Sequence, residues 1–198
     1  KIFIIKYFQE KGFLNATCSV NEERNQKLNS STLIIDVNKN ERVKIKEIII
    51  SSDENTFKQG KLKRQLKNTK ETGIKNIFSS SKFIESDFDE DLQNLIAMYR
   101  ENGYRDAKIL GHKTSFNNTG DLLLNIELIE GEKYFFGDIK WIGNSKYDSE
   151  KLNELLSIKE GEIFDQKLLE ERLFMSRNGN DISSLYMDDG YLFFQANP

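Results

Sequence analysis

The run Tyr99-Arg100-Glu101-Asn102-Gly103-Tyr104-Arg105-Asp106-Ala107 has two counterparts in the same chain. Near the start stands Phe8-Gln9-Glu10-Lys11-Gly12-Phe13-Leu14-Asn15-Ala16, and near the end Tyr186-Met187-Asp188-Asp189-Gly190-Tyr191-Leu192-Phe193-Phe194. Each copy sets an aromatic residue four positions before a glycine and a second aromatic directly after it, leading into an apolar run. Physically this is a helix that ends at the glycine, which takes a left-handed backbone conformation without a Cβ clash. The first aromatic lies on the inner helix face one turn back, and the second packs beside it as the chain turns into a strand. One such stop is commonplace. Three of them signal internal repetition.

The spacing supports a repeat. Gly12 to Gly103 is 91 residues, and so is Glu41 to Glu132 at the next strand boundary. From the second copy to the third, Leu66 to Leu156 is 90, Phe88 to Phe164 is 76 and Gly103 to Gly190 is 87. The third unit therefore drops 14 residues between its helices and regains 11 within its second helix. Eleven residues are three helical turns, which predicts a longer helix whose buried face stays in phase.

Taken in order, residues 1–12 have the apolar spacing of a helix at Phe3, Ile4, Tyr7 and Phe8. Strands are expected at Leu14–Val20 and Thr32–Val37, separated by the polar Asn21–Ser31, the second rich in Leu, Ile and Val as a core strand. Val43–Ser51 reads as a strand and Lys61–Lys70 as a helix, with Leu62 and Leu66 inward and Lys61, Lys63, Arg64 and Lys67 on a solvated face. Thr72–Ser86 reads as irregular, anchored by Phe78 and Phe83. A helix follows at Asp89–Asn102, opened by the acids of Asp87–Asp91 and buried along Leu92, Leu95, Ile96 and Tyr99. Strands Ala107–Phe116 and Leu122–Ile129 flank the turn Asn117-Asn118-Thr119-Gly120. The third unit offers a strand at Tyr134–Ile142, a helix at Ser149–Ser157, a long helix at Gln166–Asp188 and a strand at Tyr191–Ala196. This predicts an α+β chain of tandem β-α-α-β-β units, each a three-stranded mixed sheet packed on two helices. Residues 1–39 are the C-terminal part of one unit, 40–130 a complete one, and 131–198 one lacking its last strand.

Chemistry-bearing patterns are sparse. A net charge of −3 argues against nucleic acid as a partner, and no apolar run reaches the ~20 residues of a membrane helix. Lys1 already sits in a helical pattern, so the sequence reads as a piece of a longer chain. The lone Cys18 falls in a strand-like run and excludes an internal disulfide; Pro198 is the sole proline, so no proline-rich linker exists. The alternating acids at Asp87–Asp91 invite a calcium loop. That reading fails, because Leu92 stands where its glycine belongs and Met98 where its bidentate glutamate belongs. His112 has no carboxylate or serine constellation around it, and the pairs Glu170-Glu171 and Asp188-Asp189 read as surface. No catalytic residue, metal site or cofactor is expected.

The unit resembles POTRA domains. The likeness is carried by Tyr99-x-x-x-Gly103-Tyr104-x-x-Ala107 and Tyr186-x-x-x-Gly190-Tyr191. It is carried also by Phe136-Gly137-Asp138-Ile139-Lys140-Trp141-Ile142-Gly143-Asn144, matching the family's first strand and its Gly-Asn end, and by the inter-helix turn Lys159-Glu160-Gly161-Glu162-Ile163-Phe164. In the earlier units Phe8 and Phe13 replace the tyrosines, and Ser51-Ser52 replaces Gly143-Asn144. Leu66–Glu71, Ser81–Glu85 and Ser183–Phe194 look like versions from Bacteroidetes-type bacteria.

The resemblance implies the periplasmic region of an outer-membrane protein assembly factor, held in the outer membrane by a C-terminal barrel outside this sequence. Its implied partners are unfolded outer-membrane β-barrel proteins and accessory assembly lipoproteins. Alternatives are the POTRA arm of a secretion or import pore, or a cell-envelope scaffold for folded partners. A three-stranded sheet leaves edges that can pair with an extended peptide. The expected docking edge is Lys108–Phe116, through Lys108, Leu110, His112, Thr114 and Phe116. The short joints Asn38-Lys39-Asn40-Glu41 and Glu130-Gly131-Glu132 are expected to restrict bending.

Overall fold

A computed structural model describes residues 1–73, 83–174 and 176–198. The expected anchor Phe78 lies outside them. The elements are α1 (Ile2–Gln9), β1 (Thr17–Asn25), β2 (Ser30–Asn38), β3 (Ile45–Ser51), α2 (Gln59–Lys63), α3 (Glu85–Arg100), β4 (Lys108–Phe116), β5 (Leu122–Ile129), α4 (Ser149–Leu156), α5 (Gln166–Phe174) and α6 (Ile182–Asp188). They form two compact units, Lys1–Leu95 with Ile109–Leu128, and Ile96–Lys108 with Ile129–Pro198. The fold is α+β.

In the first unit β1 and β2 make an antiparallel hairpin in register from Thr17↔Asn38 to Asn25↔Ser30. Pairing extends well beyond the expected strands, so most of the polar Asn21–Ser31 is strand. The Asn25 side chain accepts the Lys27 and Leu28 amides and closes the turn locally, which lets the ladder run to its end. The expectation of a core strand fails at β2: Leu33, Ile34 and Ile35 are exposed, Leu33 by 62%. A lone hairpin has two faces, and among the described residues no layer covers those of β2. Helix α1 likewise buries no residue. Ala16 and Cys18 are the buried positions where β1 begins.

The second sheet of this unit has strand order β3-β5-β4, with β3 parallel to the central β5. Ile45, Ile48 and Ile50 of β3 and Leu122, Leu124 and Ile126 of β5 are fully buried, as are Leu62, Leu66, Phe88 and Leu95 from the helical layer. A register shift between Ile45 and Glu47 keeps the three isoleucines on one face. Helix α2 is much shorter than the Lys61–Lys70 expectation. Beyond it the buried Asp91 carboxylate of α3 accepts the amides of Asn68 (3.1 Å) and Thr69 (2.6 Å), which draws those donors out of a helical ladder. Asp91 thus anchors a neighbouring loop, whereas sequence placed it among the acids opening its own helix. That helix starts a turn earlier, at Glu85. Phe83 is buried as expected, against Phe88 at 5.3 Å between ring centroids.

The second unit is organised around Phe136, Leu152, Leu156, Ile158, Leu173, Ile182 and Tyr186. Here three expectations are corrected. Tyr134–Ile142 and Tyr191–Ala196 are not strands: the first makes an isolated bridge, Phe135↔Ile163, and the second makes no ladder. A strand needs a neighbour that supplies hydrogen bonds along its length. The Gly161–Phe164 turn supplies them only at Tyr134 and Phe136, and the backbone bond within 191–196 is the local one from Phe194 N to Tyr191 O. The long helix Gln166–Asp188 is two helices. Gly179 takes φ +70°, and Asp181 caps α6 at the Ser184 amide (2.9 Å) while holding the Ser176 amide (3.1 Å), so the intervening residues form a closed loop. The eleven extra residues are therefore not three continuous turns.

Candidate strand-docking edge and glycine turns

The three glycine turns are built alike. Gly12, Gly103 and Gly190 have φ of +84°, +95° and +90°. In each, the following aromatic amide donates to the carbonyl five residues back: Phe13 to Phe8, Tyr104 to Tyr99 and Tyr191 to Tyr186, all at 3.0 Å. The glycine amide itself donates to the carbonyl three back, giving the paired bonds of a Schellman cap. The flanking rings meet edge to face, with centroids 6.2, 5.8 and 5.9 Å apart.

Two of the turns also hold the joint that follows them. Inside the first unit, Asn40 takes φ +54° and its side-chain amide donates to Asn15 O (2.7 Å), while the Arg42 guanidinium sits 4.7 Å above the Phe13 ring. Inside the second unit, Gly131 occupies the matching position at φ +73°. There Tyr134 N donates to Gly103 O (2.9 Å), and the Tyr134 hydroxyl donates to Asp106 (2.7 Å), an acceptor that holds the phenol proton and raises its pKa. The buried Tyr99 hydroxyl donates to buried Glu130 (3.0 Å), and Lys167 meets Glu101 at 2.9 Å. Sequence reasoning found the turn and the joint separately but missed that one grips the other. The shared 91-residue offset of both was the available signal. Gly143, singled out by resemblance, takes φ +83° at the end of the run Phe136–Ile142, in open space.

Topology places β4 at a sheet edge. The hairpin closes with Asn117 N donating to Asp121 O (2.9 Å). Thr119 and Asn117 side chains hydrogen-bond the Asp121 carboxylate and lower its pKa. Antiparallel alternation from that closing pair turns the backbone N–H and C=O of Leu110, His112, Thr114 and Phe116 away from β5. Their side chains share one face, marked by the His112 ring lying 4.9 Å from Phe88. On it Leu110 is 58% and Phe116 51% exposed. Lys108 belongs with the second unit, so the edge within the first unit is Ile109–Phe116. Among the described residues no cluster of His, Cys, Asp or Glu has metal-binding geometry, and no helix is long and apolar enough to cross a membrane.

Residues 43–131 and 134–198 each match the family described as "POTRA: Surface antigen variable number repeat", and the chain belongs to that family. It is 24% identical over 131 residues to the Treponema pallidum (strain Nichols) protein named "Putative outer membrane protein assembly factor", covering 64% of this chain and 15% of that protein. The chain thus spans about 15% of the length of that relative. Among solved structures it is similar to Haemophilus influenzae BamA POTRA3-5 (17% identity, 83% of this chain and 61% of that chain, TM-score 0.47). It is also similar to POTRA1-2 of the periplasmic domain of Omp85 from Anabaena (15% identity, 79% of this chain and 85% of that chain, TM-score 0.43).

Proposed function

We propose that this chain is a stretch of a periplasmic POTRA arm, with units at 1–39, 40–130 and 131–198, in a protein that assembles outer-membrane β-barrels. Its work is non-catalytic: it docks unfolded outer-membrane protein segments by strand addition and offers surface to accessory lipoproteins. Family membership and the name of the Treponema relative support the setting. The observation that carries the mechanism is the outward backbone of Ile109–Phe116 above a half-exposed Leu110 and Phe116. A strand added there continues the ladder, and its alternate apolar residues extend the buried face over those two side chains. Main-chain pairing tolerates many sequences. Each added bond contributes only about 0.5–1.5 kcal/mol, so clients are held weakly and released.

The test is an NMR titration of the ¹⁵N-labelled chain with an extended peptide copied from an outer-membrane barrel strand. Shifts along Ile109–Phe116, lost in a folded Thr114→Pro variant, are expected. The Thr114 amide points away from β5, so proline there removes a docking donor and spares the hairpin. No shift at millimolar peptide refutes strand docking and leaves a scaffold for folded partners.

A further inference from the structure

The sheet of the first unit has a second edge, along β3, and side chains already occupy its outward backbone. The Gln59 carboxamide brackets Ile50: its Oε1 accepts the Ile50 amide (3.1 Å), and its Nε2 donates to the Ile50 carbonyl. A carboxamide carries the same donor and acceptor as a peptide group, so Gln59 stands where a residue of a neighbouring strand would. Two residues earlier, the Glu71 carboxylate accepts the Ile48 amide (2.8 Å) and is itself fixed by Lys63 Nζ (2.7 Å). At the start of the strand, the amide and hydroxyl of Thr72 both donate to the Ile45 carbonyl (2.7 and 3.1 Å). The register shift between Ile45 and Glu47 lets Ile45, Ile48 and Ile50 all present backbone to the same outer side.

The second unit repeats the device with other chemistry. Phe136 stands 91 residues after Ile45, and its amide donates to Glu162 O while its carbonyl accepts the Gly161 amide, both at 2.8 Å. In both units residues between two helices seal the first extended segment, joined in the first unit by Gln59 at the start of α2. No comparable cover lies along β4 among the described residues.

We propose that Gln59, Glu71 and Thr72 form an edge guard that makes this sheet one-sided, so that an incoming strand can add at β4 and not at β3. The proposal rests on the strand-docking reading of β4 and names the residues that set its selectivity. An arm whose every unit had two open edges would pair with clients, or with copies of itself, on both sides.

The probe is an unlabelled peptide of about ten residues, the length of a barrel strand, with alternating apolar and polar residues, read through the exchange broadening of the amides it contacts. Line broadening is read on the ¹⁵N-labelled chain and on a Gln59→Ala/Glu71→Ala variant. In the wild type, broadening is expected along Ile109–Phe116 and not along Ile45–Ser51. In the variant it is expected along both, with affinity at β3 raised roughly tenfold, as release of competing side-chain bonds would give. A folded variant whose β3 amides stay sharp overturns the guard, and so does a wild type broadened equally at both edges. Absence of broadening at β4 refutes the docking reading alone, since the β3 response of the variant still decides the guard. If the double variant does not fold, Gln59→Ala is used, which leaves the Glu71–Lys63 pair intact.

Discussion

Replacing Gly103 and Gly190 by alanine, one at a time, separates the two tasks of the glycine turn. Both residues have strongly positive φ, so alanine costs about 1–2 kcal/mol of backbone strain at either site. Their surroundings differ. A Cβ on Gly190 meets nothing within 4 Å, whereas one on Gly103 lies 3.0 Å from Ile163 Cγ2, 3.1 Å from Lys133 Cγ and 3.1 Å from the Tyr134 carbonyl oxygen. The lysine chain can swing aside, but the carbonyl is backbone and is tied to Phe164 N at 3.0 Å. Such overpacking adds about 1–3 kcal/mol, giving a total of roughly 2–5 kcal/mol for Gly103→Ala against 1–2 for Gly190→Ala. Both glycines belong to the second unit, which also holds Trp141, the single tryptophan. Urea unfolding followed by Trp141 fluorescence therefore reads both variants with one probe. Equal losses would refute the claim that the Gly103 turn grips the following segment, and would leave the glycine as a helix stop only.

Asp181 gives the second unit an acid limit. Burial pushes its carboxyl up, but the Ser184 amide and hydroxyl and the Ser176 amide outweigh this and hold its pKa below the ordinary carboxylate value. A depressed folded pKa means its stabilisation is present above about pH 4, the unfolded value, and is lost as pH falls through the folded one. Asp181→Ala should cost about 1–2 kcal/mol at neutral pH as a lost cap, with variant and wild type converging in acid by Trp141 fluorescence. In the first unit, Asp91→Ala should cost about 1–3 kcal/mol by stripping the Asn68 and Thr69 amides of their acceptor. Hydrogen exchange at those two amides should accelerate while the β5 amides keep their protection; unchanged exchange would show that another group accepts them.

The local chemistry of this chain was written in its sequence. A glycine between two aromatics at fixed spacing can close only one kind of turn, and all three copies close it with the same bonds. Strand β5, with apolar residues at every second position, and the Asn117–Gly120 turn were equally legible, because alternation and turn chemistry are properties of neighbours along the chain. Pairing was not legible. Thr32–Val37 has the composition of a core strand and is exposed; Tyr134–Ile142 has the composition of a strand and is not one. Burial and strand identity depend on what lies alongside, which composition does not encode. The same holds for Gln59 and Glu71, to which the sequence assigns no contact, and for Asp91, which reads as an acid opening its own helix. Only the tertiary structure sets their side chains against backbone groups 9, 23 and 22 residues away and so decides which edge is closed and where α2 stops.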